Sequence, residues 1–107
     1  MRKSRLKKIL KELQNEFSKI LDENLDTILL FGSQARGDAK IDSDIDILVI
    51  ISGEFNYGDL IKRTSVIVSD LSLEYDVVIS RVFMSKEHFE NDQTPFLLNV
   101  YREGVRI

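Results

Sequence analysis

The sequence predicts an α/β (α+β) fold: a small mixed β-sheet flanked by helices. Three observations carry this prediction. Leu6, Ile9, Leu10, Leu13, Phe17, Ile20 and Leu21 fall on one stripe of a helix over residues 4–21. Two short apolar runs, 26–31 and 44–51, are separated by a polar loop. Beyond them, helical and strand patterns alternate to the end of the chain.

The first helix has an exposed face rich in Lys and Glu, and its pattern breaks at Asp22. The first strand, 26–31, ends at Gly32. Ser33 is positioned to cap a helical turn through Gln34, Ala35 and Arg36, with Gly37 ending it. Residues 40–43 read as polar loop. The second strand, 44–51, is apolar on both parities in its second half, so both of its faces are expected to be covered. Residues 59–71 fit a helix, although Val66-Ile67-Val68 is also strand-like. A third strand is expected over 75–82. Ser85 suits a cap for a short helix over 86–91. Thr94-Pro95 is a helix start, with Thr as N-cap and Pro in the first turn. That helix ends at Gly104, and Val105-Arg106-Ile107 adds a terminal strand or frays.

At 107 residues with 43% hydrophobic content, the chain reads as a single domain, 1–107, able to bury a core. It has no cysteine, which excludes a disulfide framework and a thiolate metal site and fits a cytoplasmic setting. No apolar run reaches the roughly 18 residues of a membrane span, and the N-terminus lacks a signal-peptide h-region. The net charge of −3 is unevenly spread: Arg2, Lys3, Arg5, Lys7, Lys8 and Lys11 all precede the first acid, Glu12. The body is therefore strongly acidic. That argues against a double-stranded DNA binder and suits a protein that holds a cation. The basic cluster reads as the solvated face of the first helix, with RNA or an acidic partner as the alternative.

Asp44 and Asp46 lie two apart at the start of a strand, so they share a face with Cα atoms about 6.6 Å apart. Neighbouring carboxylates raise each other's pKa unless a cation intervenes, and Mg²⁺ binds one or two carboxylates together with substrate phosphates. Taken alone, D-x-D is equally satisfied by two solvated acids. Gly32-Ser33 adds a turn in which backbone can approach a ligand and a hydroxyl can meet phosphate oxygens. Alone it is ordinary turn chemistry. Together the two motifs bring phosphate donors and metal ligands to one edge. Asp76, in the otherwise apolar Tyr75-Asp76-Val77-Val78-Ile79, is the candidate third acid, with Glu74 as a rival. An acid there is costly to bury unless paired or ligating.

Gly32-Ser33-Gln34-Ala35-Arg36-Gly37-Asp38, followed by Ser43-Asp44-Ile45-Asp46, resembles the G-S-x10-D-x-D signature of the polymerase β-like nucleotidyltransferase superfamily. It is closest to the minimal nucleotidyltransferases, the MNT-type antitoxins of HEPN/MNT toxin–antitoxin pairs. The resemblance implies transfer of AMP from ATP to a hydroxyl, a tyrosine of a partner HEPN-type RNase toxin. It implies Asp44, Asp46 and Asp76 as catalytic residues and ligands of two Mg²⁺ ions. Gly32 and Ser33 would hold the triphosphate.

Arg36 contacts that triphosphate or a partner, or fixes the loop through carbonyls or Asp38. The lone His88 reads as a surface residue, and Tyr57, Tyr75 and Tyr101 as packing residues. With so short a chain the acceptor is expected from a partner or from a second copy, as a hetero-oligomer or homodimer. Neither DNA nor membrane is expected as a partner. Two alternatives stay open: an antitoxin that neutralises by binding alone, and the catalytic part of a small-molecule nucleotidyltransferase acting on an alcohol such as an aminoglycoside.

Overall fold

A computed structural model describes residues 3–37 and 44–107. Arg2, Asp38, Ser43 and the loop expected at 40–43 lie outside the described residues. The elements are α1 (Lys3–Leu21), a 3₁₀ turn (Asp22–Asn24), β1 (Leu25–Phe31), α2 (Ser33–Arg36), β2 (Ile45–Ile51), α3 (Tyr57–Tyr75), β3 (Ile79–Ser85), α4 (Lys86–Asn91), α5 (Pro95–Glu103) and β4 (Val105–Arg106). They form a mixed sheet in the order β3-β2-β1-β4. β1 runs antiparallel to β2 and β4, and β2 runs parallel to β3. The mixed sheet with flanking helices is the architecture the sequence predicts.

The helices cover both faces of β2. Ile45, Ile47, Val49 and Ile51 point to a core shared with Ile9, Leu13 and Phe17 of α1 and Leu60, Val68 and Leu71 of α3. Leu48 and Ile50 point the other way, onto Leu97 and Val100 of α5. A strand buried on both faces needs apolar residues at both parities, which is the pattern read over 44–51.

The helix starts follow side-chain chemistry. Asn56 Oδ1 accepts the Asp59 amide at 2.9 Å, Ser85 Oγ accepts the His88 amide at 3.2 Å, and Thr94 Oγ1 accepts the Leu97 amide at 3.2 Å. α5 ends at Gly104, where a side chain would place its Cβ 2.5 Å from the Val100 carbonyl oxygen. The last residues do form a strand: Arg106 and Val105 pair with Leu29 and Leu30.

Two expectations change. Ser33 is not the cap of α2; Gly32 is, at φ 76°, and Ser33 is the first helical residue. Only a residue free of a Cβ takes that backbone without strain. The third strand begins at Ile79 rather than at position 75, because α3 continues to Tyr75. The Tyr75 ring is 8% exposed, and its hydroxyl donates to Glu12 at 3.1 Å. That ring packs into the core that α1 and α3 share, so the helix carries Tyr75 to its last turn. The Val66-Ile67-Val68 run is helical: Val68 is buried and Val66 is 70% exposed, so tertiary packing decides what propensity leaves open.

Candidate functional site

The candidate site lies where β1 ends and β2 begins. Antiparallel pairing sets Phe31 opposite Asp46, so Gly32 leaves the sheet beside that carboxylate. A Cβ built on Gly32 would sit 2.5 Å from Asp46 Oδ2. Real Cβ atoms do not approach an oxygen so closely. The glycine is therefore required twice, by its positive φ and by the carboxylate against it. Gly37, at φ 82°, closes α2 by sending its amide to the Ser33 carbonyl at 3.0 Å.

Asp44 is exposed at the strand entrance and Asp46 is half-buried on the α5 face. The Asp46 carboxyl is pushed above the usual carboxylate range, mainly by burial and secondly by the charge of Asp44; the Arg36 guanidinium pulls it back down. Two oxygen-donor side chains, one of them losing hydration and repelled by the other, form a set suited to a hard divalent cation.

Arg36 Nη1 donates to Glu103 Oε2 at 3.1 Å, tying α2 to the end of α5. Sequence reasoning did not find this partner, because the two positions are far apart and only the docking of α5 on the sheet, with β4 paired to β1, brings Glu103 back. The Arg36–Asp38 contact considered from the sequence falls outside the described residues. Gln34 is buried in α2, another polar group that no local pattern signalled.

Asp76 does not lie on β3. It is the C-cap of α3 in the left-handed conformation, φ 51°, and is exposed. Glu74 is exposed on the last turn of α3. Among the described residues, no group of three His, Cys, Asp or Glu side chains is close enough to hold one ion. The structure thus brings Asp46, Asp44, Gly32 and Ser33 to one edge, with Arg36 acting on Asp46, and leaves Asp76 at the end of α3.

His88 is on the surface, with Nδ1 3.0 Å from Asp92 Oδ2. Tyr57 and Tyr101 are half-exposed but pack edge-on against Phe83 and Phe89. Lys3, Arg5, Lys7, Lys8 and Lys11 line the solvated face of α1. Arg5 also donates to the Tyr75 carbonyl and lies over the Tyr75 ring, 5.7 Å from its centroid. No described helix is long and apolar enough to cross a membrane.

Residues 4–103 match the family model described as a nucleotidyltransferase domain. The chain belongs to the nucleotidyltransferase family. Two curated relatives from Methanocaldococcus jannaschii, MJ0141 and MJ0604, are provisionally named protein adenylyltransferases. MJ0141 is 35% identical over 99 residues, covering 92% of this chain and 95% of the relative. MJ0604 is 37% identical over 99 residues, covering 91% and 92%.

Solved structures share the nucleotidyltransferase fold at lower identity. A chain of a toxin–antitoxin structure with AMP-PNP has a TM-score of 0.62 at 20% identity, covering 90% of this chain and 69% of that one. A provisionally assigned nucleotidyltransferase from Sulfolobus solfataricus gives 0.61 at 22%, covering 99% and 87%. A chain from the complex of tri-AMPylated Shewanella oneidensis HEPN toxin with MNT antitoxin gives 0.58 at 21%, covering 99% and 71%. The nucleotidyltransferase family expected from residues 32–46 is the family found.

Proposed function

We propose that this nucleotidyltransferase transfers AMP from ATP to a protein hydroxyl, and that Asp44 and Asp46 hold the Mg²⁺ it uses. The observation that carries this reading is the packing of Gly32 against the Asp46 carboxylate, which fuses the Gly-Ser turn and the D-x-D strand into one edge. The two M. jannaschii relatives support adenylyl transfer to a protein. The tri-AMPylated HEPN toxin of the related complex supports a partner HEPN-type toxin as the acceptor, which this chain would neutralise as an antitoxin; a tyrosine is the hydroxyl we propose.

Bound Mg²⁺ would neutralise phosphate charge and draw the attacking and leaving oxygens into line; two ions suit such a transfer. The chain's residues do the positioning. Asp46 on β2 and Asp44 just ahead of it, close enough for their charges to interact, would present their carboxylates to the cation. The Gly32 backbone and the Ser33 amide and hydroxyl lie where the triphosphate would pass. Arg36, held by Glu103, contributes positive charge beside Asp46. Asp76, exposed at the C-cap of α3 just ahead of β3, would supply the third carboxylate to that end of the sheet.

The test is to incubate the chain with Mg²⁺, labelled ATP and the protein encoded beside it. Label on a tyrosine of that protein, lost with Asp44→Asn or Asp46→Asn, is the expected result. Inhibition of the neighbour without label would make the chain a binding antitoxin. Label on an added aminoglycoside and none on protein would make it a small-molecule enzyme.

A further inference from the structure

We propose that Arg5 of α1 is a positioning residue for Asp76, holding the peptide unit that carries the third carboxylate. The inference rests on the reading of Asp76 as the acid that serves the same end of the sheet as Asp44 and Asp46. Asp76 stands at φ 51° and ψ 56°. Among the described residues only Asp22 shares a positive φ without being glycine. Helices commonly end on a left-handed residue, but glycine is the usual choice there. A side chain kept in such a backbone persists where its surroundings hold it, and functional sites collect such residues.

α3 itself holds only part of this turn. The amides of Asp76 and Val77 both donate to the Ser72 carbonyl. The Tyr75 carbonyl, which is the oxygen of the Tyr75–Asp76 peptide, is met from α1. The Arg5 guanidinium donates to it and lies over the Tyr75 ring, 5.7 Å from the centroid. Glu12, two turns along the same face of α1, accepts the Tyr75 hydroxyl at 3.1 Å. The ring between them packs into the core. α1 therefore grips Tyr75 at its carbonyl, its ring and its hydroxyl, and the next residue is Asp76.

The grip falls at the end of the molecule that holds the site. α1 and α3 run antiparallel: Arg63, early in α3, donates to the Ile20 carbonyl at the end of α1 at 2.7 Å, whereas Tyr75 meets the first half of α1. Just beyond Asp76, the Val78 carbonyl accepts the Ile45 amide at 2.9 Å, and Ile45 lies between Asp44 and Asp46. Only Asp76 and Val77 separate the residue held by Arg5 from the residue held by the start of β2. Asp76 is thus fixed on both sides, by α1 before it and by β2 after it.

Arg5 acts here through geometry rather than charge. Its planar fork can donate to a carbonyl while its face covers a ring, which an ammonium cannot reproduce. A positive charge near a cation site opposes the cation, so a role in charge alone predicts tighter metal binding when Arg5 is neutralised. A role in holding the Tyr75–Asp76 peptide predicts weaker binding.

Mn²⁺ binding to the full chain, followed by electron paramagnetic resonance, tests the assignment without ATP or acceptor. Asp76→Asn is expected to weaken Mn²⁺ about tenfold. Arg5→Gln is expected to weaken it about threefold, and to add nothing further in the Asp76→Asn background. Arg5→Lys, which keeps the charge without the fork, should fall between Arg5→Gln and the unaltered chain. Lys8→Gln removes another exposed charge of α1 and should leave binding unchanged. Unchanged or tighter binding in Arg5→Gln, the same weakening with Asp76 present or replaced, or equal weakening by Lys8→Gln would overturn the proposal and leave Asp76 as the third carboxylate. Unchanged binding in Asp76→Asn would instead remove that carboxylate from the site, and the proposal with it.

Discussion

Gly32 and Asp46 constrain each other, and their coupling is measurable. Gly32→Ala forces a side chain into an essentially glycine-only backbone (φ 76°, ψ −158°), at about 1–3 kcal/mol, and also drives a methyl into Asp46 Oδ2. Asp46→Ala removes the second of these costs. In a double-mutant cycle by urea denaturation, the double variant should be less destabilised than the sum of the single variants, with coupling on the order of 1 kcal/mol. Strict additivity would mean that the two groups do not touch. A second prediction at this scale concerns charge. Asp46 has a raised pKa in the fold, so it binds more protons folded than unfolded. Stability should then fall as pH rises from the ordinary carboxylate range through the raised value. Asp46→Asn should flatten that part of the profile and raise Tm at neutral pH in EDTA, while abolishing transfer. Thermal melts across pH, with chelator present, check the sign; a lower Tm for Asp46→Asn would refute it.

At the scale of elements, α5 is anchored at both ends by groups that can be removed one at a time. Thr94→Ala should cost about 1 kcal/mol through loss of the cap on the Leu97 amide. Glu103→Gln, which loosens a half-exposed ion pair with Arg36, should cost no more than about 1 kcal/mol. If Arg36 needs Glu103 to hold its place, Glu103→Gln should still slow transfer. A slower transfer with an unchanged melting curve would separate positioning from stability. α3 and β3 are tied differently. Arg81 donates to Thr64 Oγ1 at 2.7 Å and to the Ile61 carbonyl at 3.0 Å. Burial pushes its pKa down, yet no carboxylate partners it among the described residues. Arg81→Lys is therefore not conservative, since an ammonium cannot reproduce the guanidinium fork over two adjacent turns.

For the whole molecule, β2 is the element that both cores share. Ile47 and Leu48 are fully buried on opposite faces. Ile47→Ala and Leu48→Ala should each cost about 2–5 kcal/mol. Chemical denaturation of the two single variants checks the size of each loss. Mg²⁺ should raise Tm in proportion to the logarithm of its concentration above Kd, if it binds the native chain alone. That rise should vanish in Asp44→Asn.

Much of this was legible in the sequence, for a physical reason. Periodicity records which face of an element is buried, and caps record where backbone amides need an acceptor. Those local demands determined α1, the doubly covered β2, the Thr94-Pro95 start and the Gly32–Asp46 motif with its family. What the sequence did not determine was pairing between distant segments. Arg5 carries no local sign of meeting the Tyr75 carbonyl; only the packing of α1 against α3 puts it there. Glu103 meets Arg36 only because α5 packs on β2 and β4 returns to β1. Asp76 looked like a strand residue because Val77, Val78 and Ile79 follow it, but the burial of Tyr75 against α1 extends the helix and leaves Asp76 at its end. Short-range preference is written residue by residue, whereas which guanidinium or carboxylate meets which partner is settled by the packing of the whole chain.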